Sequence, residues 1–401
     1  MLHNRYRERG GEDYSSAAEV ELLRSAGIDC TFHQVDNRDM QSTGIAAAVN
    51  AVWSRDRARE ISGIVRDRQI DLVHVQNFFP QLSPAVHWAA RQAGAAVVQT
   101  LRNYRLACVN GQFFRDGQIC EDCLGRSPIR GIVHRCYRDS FAASSAVGAM
   151  LVAHRMIGTW TRKVDRFIAV SEFIRTKLIE AGLPPDRVEV KPNFLPVVPA
   201  EPGPGAGGYF VYVGRLSQEK GIRTLLEAWK TLRSPVPGLK LVGSGPMDEF
   251  VKSVAAQIPQ VVVLGPRSAA EVLDIVGRAE ALMFPSEWYE GHPRVMIEAL
   301  SVGTPIIASN VGAITEVVQD GVSGLQFRAG SAVDIAAKVK EFVANRDRIS
   351  SMRLAARKTF LARYTAGENI KMMLRIYERA RAQAARGRDE GAHASARPTP
   401  L

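Results

Sequence analysis

Glu290 and Glu298 stand eight positions apart in the segment EGHPRVMIE, with Gly291 and Pro293 between them. A carboxylate accepts two hydrogen bonds from a vicinal diol, so two carboxylates facing one site can each grip a sugar ring. Pro293 lacks an N–H and suits the first turn of a helix, where that donor has no partner. Glu290 would then hang in the loop before the helix and Glu298 would lie inside it. Both would sit beside a helix N-terminus, which favours anions. A nucleotide-sugar meets these demands: one ring is the ribose, the other is the sugar to be moved. Taken alone, a Glu pair at this spacing also suits a solvated helix face.

The flanking sequence supplies the elements that must position the pair. Ala281 to Pro285 (ALMFP) reads as a buried strand ending in a turn. Glu298 to Ser309 (EALSVGTPIIAS) reads as helix, Gly break and next strand. Parallel α/β proteins bind ligands beyond the strand ends of such units. Strand and helix signals alternate along the whole chain, as parallel α/β layers require. Asp71 to Gln76, Ala95 to Thr100 and Arg166 to Val170 read as strands of a first Rossmann-like domain, residues 1–191. Lys191 to Gly208 holds five prolines and four glycines, and 192–208 reads as a linker. A second Rossmann-like domain, 209–355, opens on the apolar strand Tyr209 to Gly214 and the helix Ile222 to Leu232. Its further strands are Leu239 to Gly243, Val261 to Leu264, Ala281 to Phe284 and Pro305 to Ala308. Residues 356–386 read as helices packing back on the first domain, and 387–401 as a disordered basic tail. Only Met1 and Leu2 precede His3-Asn4 and the Gly10-Gly11 loop, so the first, central strand reads as truncated. A missing central strand would split the sheet, so the expectation is a start further upstream or a poorly folding chain.

At 401 residues, 46% apolar and 23% charged, the chain suits two ordinary domains of a globular protein. It shows no membrane-span run and no signal-peptide pattern. A cytoplasmic enzyme is the expectation. The net charge of +11 calls for an anionic partner. Nucleic acid is excluded as that partner, because the Arg residues are spread along the chain and no recognition module is present. Nucleotide-sugars and an anionic membrane surface fit, the latter as a peripheral contact at the inner face of the cytoplasmic membrane. A diffuse charge from an Arg-rich composition fits equally.

Four segments resemble one family: VGRLSQEKGI (Val213 to Ile222), LVGSGP (Leu241 to Pro246), EGHPRVMIE, and GTPIIASNVGAITEVVQDGVSGL (Gly303 to Leu325). In order and spacing they are similar to the family 4 retaining glycosyltransferases. That resemblance implies the GT-B architecture: α/β, two facing Rossmann-like domains with parallel sheets and a cleft between them. HNRYRERGGED, VHVQNFFPQLSP and TLRNYRLACVNG resemble a bacterial polysaccharide-assembly branch. The implied partners are a nucleotide-sugar donor and a saccharide or polyprenyl-linked acceptor.

Breaking a sugar–phosphate bond leaves new negative charge on a nucleoside diphosphate, which must be neutralised in the transition state. Other glycosyltransferases hold a metal ion with an Asp-x-Asp motif, and this sequence contains none. No cofactor is therefore expected for catalysis. Arg215, after Gly214, and Lys220, before Gly221, can supply the charge instead. By the resemblance, Glu290 bonds hydroxyls of the donor sugar and Glu298 holds the ribose diol. Gly291, His292 and Pro293 would let backbone amides approach the donor. Gly243 and Gly245 would line a nucleotide loop, or form an ordinary strand-end turn, with Leu264 to Arg267 near the base. Gly10 and Gly11 resemble the loop that closes on diphosphate or acceptor. Asn77 and Arg102 fall on the acceptor or phosphate side. Arg102 is a departure: many relatives carry His there. Arg cannot act as a base at neutral pH, and it equally suits a bridge to an acidic neighbour. Retention would come from same-face substitution, since no carboxylate nucleophile is evident. The competing readings are another GT-B enzyme (an epimerase or a phosphorylase) and a non-catalytic nucleotide-sugar-binding scaffold.

Cys108, Cys120, Cys123 and Cys136 cluster in an insertion, 105–140, around a Cys-x-x-Cys pair. The spacing suits a structural zinc site, with His134 as a substitute ligand. Unliganded thiols and redox pairing are the alternatives. Phe141 to Trp160 is largely apolar, and reads as a packed helix or as a segment that dips into a membrane surface.

Overall fold

A computed structural model of the chain describes residues 1–6, 10–39, 44–232 and 237–395. The chain forms two compact units. Met1–Gln112, Glu121–Lys191 and the chain from Ile370 make the first; Phe113–Cys120 and Pro192–Asn369 make the second.

In the first unit, β1 (Leu2–Arg5), β2 (His33–Asp36), β3 (Leu72–Asn77) and β4 (Ala96–Leu101) belong to one parallel sheet. A short hairpin, β5 (Phe114–Arg115) and β6 (Gln118–Ile119), interrupts the sequence and belongs to the second unit. The first sheet then gains β7 (Arg166–Ala169) and β8 (Val188–Val190), in the order β2-β1-β3-β4-β7-β8. β4 and β7 are buried along their whole length, and β3 nearly so, as expected of parallel strands covered by helices on both faces.

The sheet is not split, contrary to the truncated-strand reading. β1 occupies a central place, pairing in parallel with both β2 and β3. Its polar residues are buried but satisfied: His3 Nε2 meets Asp13 Oδ1 at 2.8 Å, and Asn4 Nδ2 donates to Asn37 Oδ1 at 2.7 Å. Apolarity is thus not required of a central strand whose side chains find hydrogen-bond partners.

In the second unit, β9 (Tyr209–Val213), β10 (Gly238–Val242), β11 (Val261–Gly265), β12 (Leu282–Phe284), β13 (Ile306–Ser309) and β14 (Gly324–Phe327) form a parallel sheet ordered β11-β10-β9-β12-β13-β14. The helix Ile222–Thr231 lays Ile222, Leu225, Leu226 and Trp229 against one face of it. That spacing of three and four is the buried stripe of an amphipathic helix. The helices Arg294–Ser301 and Arg346–Arg363 cover the other face with Met296, Leu300, Ala356 and Phe360.

The stretch read as a linker is packed on this second unit. Gly203 N donates to Val302 O at 2.8 Å and Gly205 N to Gly277 O at 3.0 Å. Arg353 Nη2 donates to Gly203 O, and Arg357 Nη2 to Pro199 O, each at 2.6 Å. A Cβ on Gly203 would collide with Gly277, so glycine here permits contact rather than flexibility.

Of the C-terminal helices, Arg346–Arg363 stays with the second unit. The helix Ala366–Ser395 instead carries Ile376, Ala380 and Ala384, at four-residue spacing, onto Ala96, Val98 and Ile168 of the first. It runs to Ser395, past the point where the sequence reads as a disordered tail. A run of Ala and Arg before Gly387 favours the helix, and neither Gly387 nor Gly391 ends it. Residues 396–401 lie outside those described.

Candidate functional site

In each sheet one place exists where the strand order reverses, and the loops there splay apart to leave a crevice. In the second unit it lies between β9 and β12, which pair at Leu282 and Val211. The loop after β9 carries Arg215 and Lys220; the loop after β12 carries Ser286 to Pro293. The topology therefore brings together residues that the sequence places 70 positions apart.

Lys220 Nζ donates to Glu290 Oε1 at 2.6 Å, and Ser286 Oγ donates to the same oxygen at 2.7 Å. Glu290 is buried and Lys220 half-buried, so both bonds work in a medium drier than bulk water. The Lys220 ammonium also lies 5.2 Å from the Trp288 ring centroid. Two further bonds lock the loops: Glu287 N donates to Glu219 O at 2.9 Å, and Thr224 Oγ1 donates to Glu287. Gly221 is held at φ +67, and a Cβ there would collide with Pro285 O, so this close approach requires glycine. Arg215 is exposed, with its carbonyl accepting from Tyr212 OH at 2.7 Å.

Pro293 occupies the cap position, one residue before the helix Arg294–Ser301. Glu298 lies inside that helix, half-buried, and accepts from Arg294 Nη2 at 3.4 Å. Burial pushes the Glu298 carboxyl up, and Arg294 opposes the shift. The backbone around His292 is pinned, since Asn193 Nδ2 donates to His292 O at 2.8 Å and its ring packs 5.3 Å from that of Tyr364.

Gly243 and Gly245 owe their identity to the chain itself. Gly243 has φ +130, where a Cβ would collide with Gly214 O; one on Gly245 would collide with Leu216 O. The loops after β9 and β10 interleave backbone to backbone, held by Leu216 N to Ser244 O at 3.0 Å.

The first unit reverses order between β1 and β3. Gly10 caps the helix Gly11–Ser25 and donates its N–H to Asp13 Oδ2 at 2.8 Å. A Cβ on Gly10 or Gly11 would meet open space, so no neighbour demands glycine there. Asn77 closes the end of β3, donating to Asn4 O at 2.8 Å and accepting from Phe79 N at 3.0 Å.

Arg102 belongs to a buried network centred on Glu19. Arg102 Nη2 and Lys191 Nζ each donate to Glu19 Oε1 at 2.8 Å, and Gln76 Nε2 donates to Glu19 Oε2 at 2.6 Å. The side chains of Glu19, Lys191 and Arg102 are 1%, 1% and 5% exposed. Burial alone would raise the Glu19 carboxyl, but Lys191 and Arg102 overcome it and hold the group at about 2. Burial drives His74 down to about 3; its ring lies between Thr100 Oγ1 and Tyr377 OH, each at 2.6 Å. The bridge to an acidic neighbour is thus the role this arrangement gives Arg102.

Among the described residues no three His, Cys, Asp or Glu side chains are grouped to hold a metal ion. Cys108 is buried and its S–H donates to Asn110 Oδ1 at 2.9 Å, inside a local turn. Cys120 ends the hairpin segment of the second unit, whereas Cys108, Cys123 and Cys136 belong to the first.

Ser286, Trp288, Glu19, Gln76 and Lys191 went unnoticed in the sequence. Ser286 lies four residues before Glu290 in the same loop, a nearness that could have flagged it. Glu19 carries no such signal.

The chain matches two family models. Residues 201–359 match the glycosyl transferases group 1, and residues 14–193 the glycosyl transferase 4-like domain. It is 25% identical over 267 residues to an uncharacterized 42.6 kDa protein in the cps region of Klebsiella pneumoniae, covering 65% of this chain and 62% of that protein. It is 32% identical over 135 residues to a glycogen synthase of Mycobacterium tuberculosis, covering 32% of each. The match therefore spans less than two thirds of either relative. The fold resembles that of Anabaena Alr3699/HepE, solved in complex with UDP, with TM-score 0.68 at 16% identity, covering 94% of this chain and 99% of that one.

Proposed function

The chain belongs to the family 4 glycosyltransferases of GT-B type, and from that premise we propose that it moves a sugar from a nucleotide-sugar donor to a growing cell-surface or exopolysaccharide acceptor. The observation that carries this reading is the Lys220–Glu290–Ser286 cluster at the strand-order reversal of the second unit. Glu290 accepts hydroxyls of the donor sugar while Lys220 and Ser286 fix its orientation. Lys220 and Arg215 face the diphosphate and offset the charge that develops as it leaves. They take the part that an Asp-x-Asp-held ion plays in other glycosyltransferases. Glu298 holds the ribose diol, and the amides of Gly291 and His292 approach the donor.

Anomeric configuration is retained by same-face substitution. The bond from the anomeric carbon to the phosphate oxygen breaks, the acceptor oxygen bonds on the same face, and its proton passes to the leaving phosphate. Trapping a covalent glycosyl-enzyme would overturn this route. A UDP-sugar is the first donor to try, since the Anabaena neighbour is also solved with UDP-glucose. The cps-region relative supports a polysaccharide acceptor; a polyprenyl carrier and a cytoplasmic site at the membrane's inner face complete the reading.

The test is a panel of UDP-, GDP- and ADP-sugars, scored for binding and slow donor hydrolysis. Lys220→Ala removes a charge-assisted contact worth about 2–4 kcal/mol of barrier, so turnover should fall by roughly 30- to 900-fold. Turnover should fall far more than stability does, although Glu290 loses its countercharge and keeps only the bond from Ser286 of the two described above. Unchanged turnover removes Lys220 from the site. Donor binding without any hydrolysis would favour the scaffold reading, and no binding of any donor to the folded chain would refute the transferase reading.

A further inference from the structure

Eight residues of the second unit come from the middle of the first unit's chain. The chain leaves the first unit at Gln112, runs through Phe113–Cys120 within the second, and rejoins the first at Glu121. Local bonds give those eight residues one shape. β5 and β6 pair Phe114 with Ile119 and Arg115 with Gln118, and Cys120 N donates to Phe113 O at 2.8 Å. Between the strands, Asp116 and Gly117 stand at φ +52 and +78, the positive values that both central residues of a type I′ turn require. Phe113 also has a positive φ, +50, which is rare for a bulky residue, and its side chain is fully buried. Strain of this kind persists where the surroundings impose it, and it collects at functional sites.

The hairpin meets both loops that carry the Lys220–Glu290 pair. At its base the rings of Phe113 and Tyr289 meet edge to face, with centroids 6.5 Å apart and planes at 83°. Tyr289 immediately precedes Glu290. At its tip the turn lies against Gln218, so closely that a Cβ on Gly117 would meet Gln218 Nε2 at 2.9 Å. Gln218 opens the short helical turn Gln218–Lys220, which Lys220 ends. The two loops also hold each other, through Glu287 N to Glu219 O at 2.9 Å. The hairpin adds a contact to each of them from outside.

Lys220 Nζ and Glu290 Oε1 stand 2.6 Å apart, a bond that a shift of either loop by about an ångström would break. Misplacement on that scale costs on the order of 100-fold in rate. We propose that the hairpin Phe113–Cys120 is a positioning element of the donor site, in which Phe113 sets the loop of Glu290 through Tyr289 and the turn at Gly117 sets the loop of Lys220 through Gln218. The hairpin acts through those loops rather than on the substrate. The inference rests on the transferase reading for what the loops do, and deepens it: the second unit's site is complete only with eight residues supplied from within the first unit's stretch of chain.

The test uses the full chain with Phe113→Leu, with Gln218→Ala, and with both. Leu keeps an apolar side chain at position 113 but removes the ring contact, and Gln218 is exposed, so the fold should survive in each. Two quantities are read: kcat and KM for donor hydrolysis, and hydrogen exchange of the free chain. Each single variant should lower kcat several-fold and the pair by on the order of tenfold or more, with KM changing less. Amides of residues 214–221 and 286–290 should exchange about tenfold faster in the paired variant, while those of β9 to β14 exchange as in wild type. Loops that exchange as in wild type overturn the proposal, as does a kcat that does not fall although the loops loosen. Faster exchange throughout the sheet also overturns it and makes the hairpin a general support of the unit. If the paired variant fails to fold, Gln218→Ala alone decides by the same two readings. Exchange is measured without donor, so a wild-type chain that hydrolyses no donor counts against the transferase reading, while the loops still show whether the hairpin holds them.

Discussion

Replacing Glu19 by Gln tests whether the buried network of the first unit is held by charge or only by shape. Gln keeps the size of the side chain and its hydrogen bond with Gln76, but removes the negative charge that Lys191 and Arg102 meet at this position. The Glu19 carboxyl is held at about 2 against an ordinary value of 4.5. A difference of roughly 2.5 at 1.36 kcal/mol each gives about 3 kcal/mol. That agrees with the roughly 3–5 kcal/mol expected on breaking a buried pair. The sign follows from proton binding. Between about 2 and 4.5 the unfolded chain is protonated at Glu19 and the folded chain is not, so acid favours unfolding. The contribution is full above 4.5 and is lost as pH falls toward 2. The difference between wild type and Glu19→Gln should thus shrink from about 3 kcal/mol at pH 7 to about 2 kcal/mol at pH 3.5. Urea denaturation, followed by fluorescence and by hydrogen exchange at β3 and β4, would measure it within the first unit. A difference that stays constant with pH, or none at pH 7, would refute the electrostatic account.

Other substitutions probe the second unit. Glu298→Gln should weaken nucleotide binding by about tenfold in calorimetry and leave the melting temperature nearly unchanged, because the ion pair with Arg294 that the half-buried carboxyl loses is long, at 3.4 Å. Equal affinity in the variant would detach Glu298 from the ribose. Gly243→Ala forces a Cβ toward Gly214 O at φ +130 and should cost about 2 kcal/mol or more in denaturation, separating the β9 and β10 loops and lowering donor affinity with it. Wild-type stability there would mean that the loops part at no cost.

Much of the second unit was legible from sequence, for a local reason. Five of its six strands are short, largely apolar runs beside Gly or Pro, so their positions follow from composition, whereas β14, Gly324–Phe327, was not read as a strand. Lys220 and Glu290 were legible too, because each sits in a loop whose flanking strand and helix are themselves readable. The first strand was not. Leu-His-Asn-Arg looks unlike a central strand until Asp13 and Asn37 are found beside it. Residues 192–208 read as a linker because Pro and Gly also mark flexible chain; Arg353 and Arg357 make the stretch a fixed strap.

By itself, then, the sequence determined two parallel α/β layers, the loops that bear Arg215, Lys220, Glu290 and Glu298, and the chemistry those residue types allow. Periodicity and turn residues act over a few positions, and such signals survive in one dimension. The tertiary structure alone decided the partners. It joined Lys220 to Glu290 across 70 positions and Lys191 to Glu19 across 172. It bound Arg102 to Glu19. Burial and countercharge depend on which distant segments meet, and strand order, not spacing along the chain, settles that.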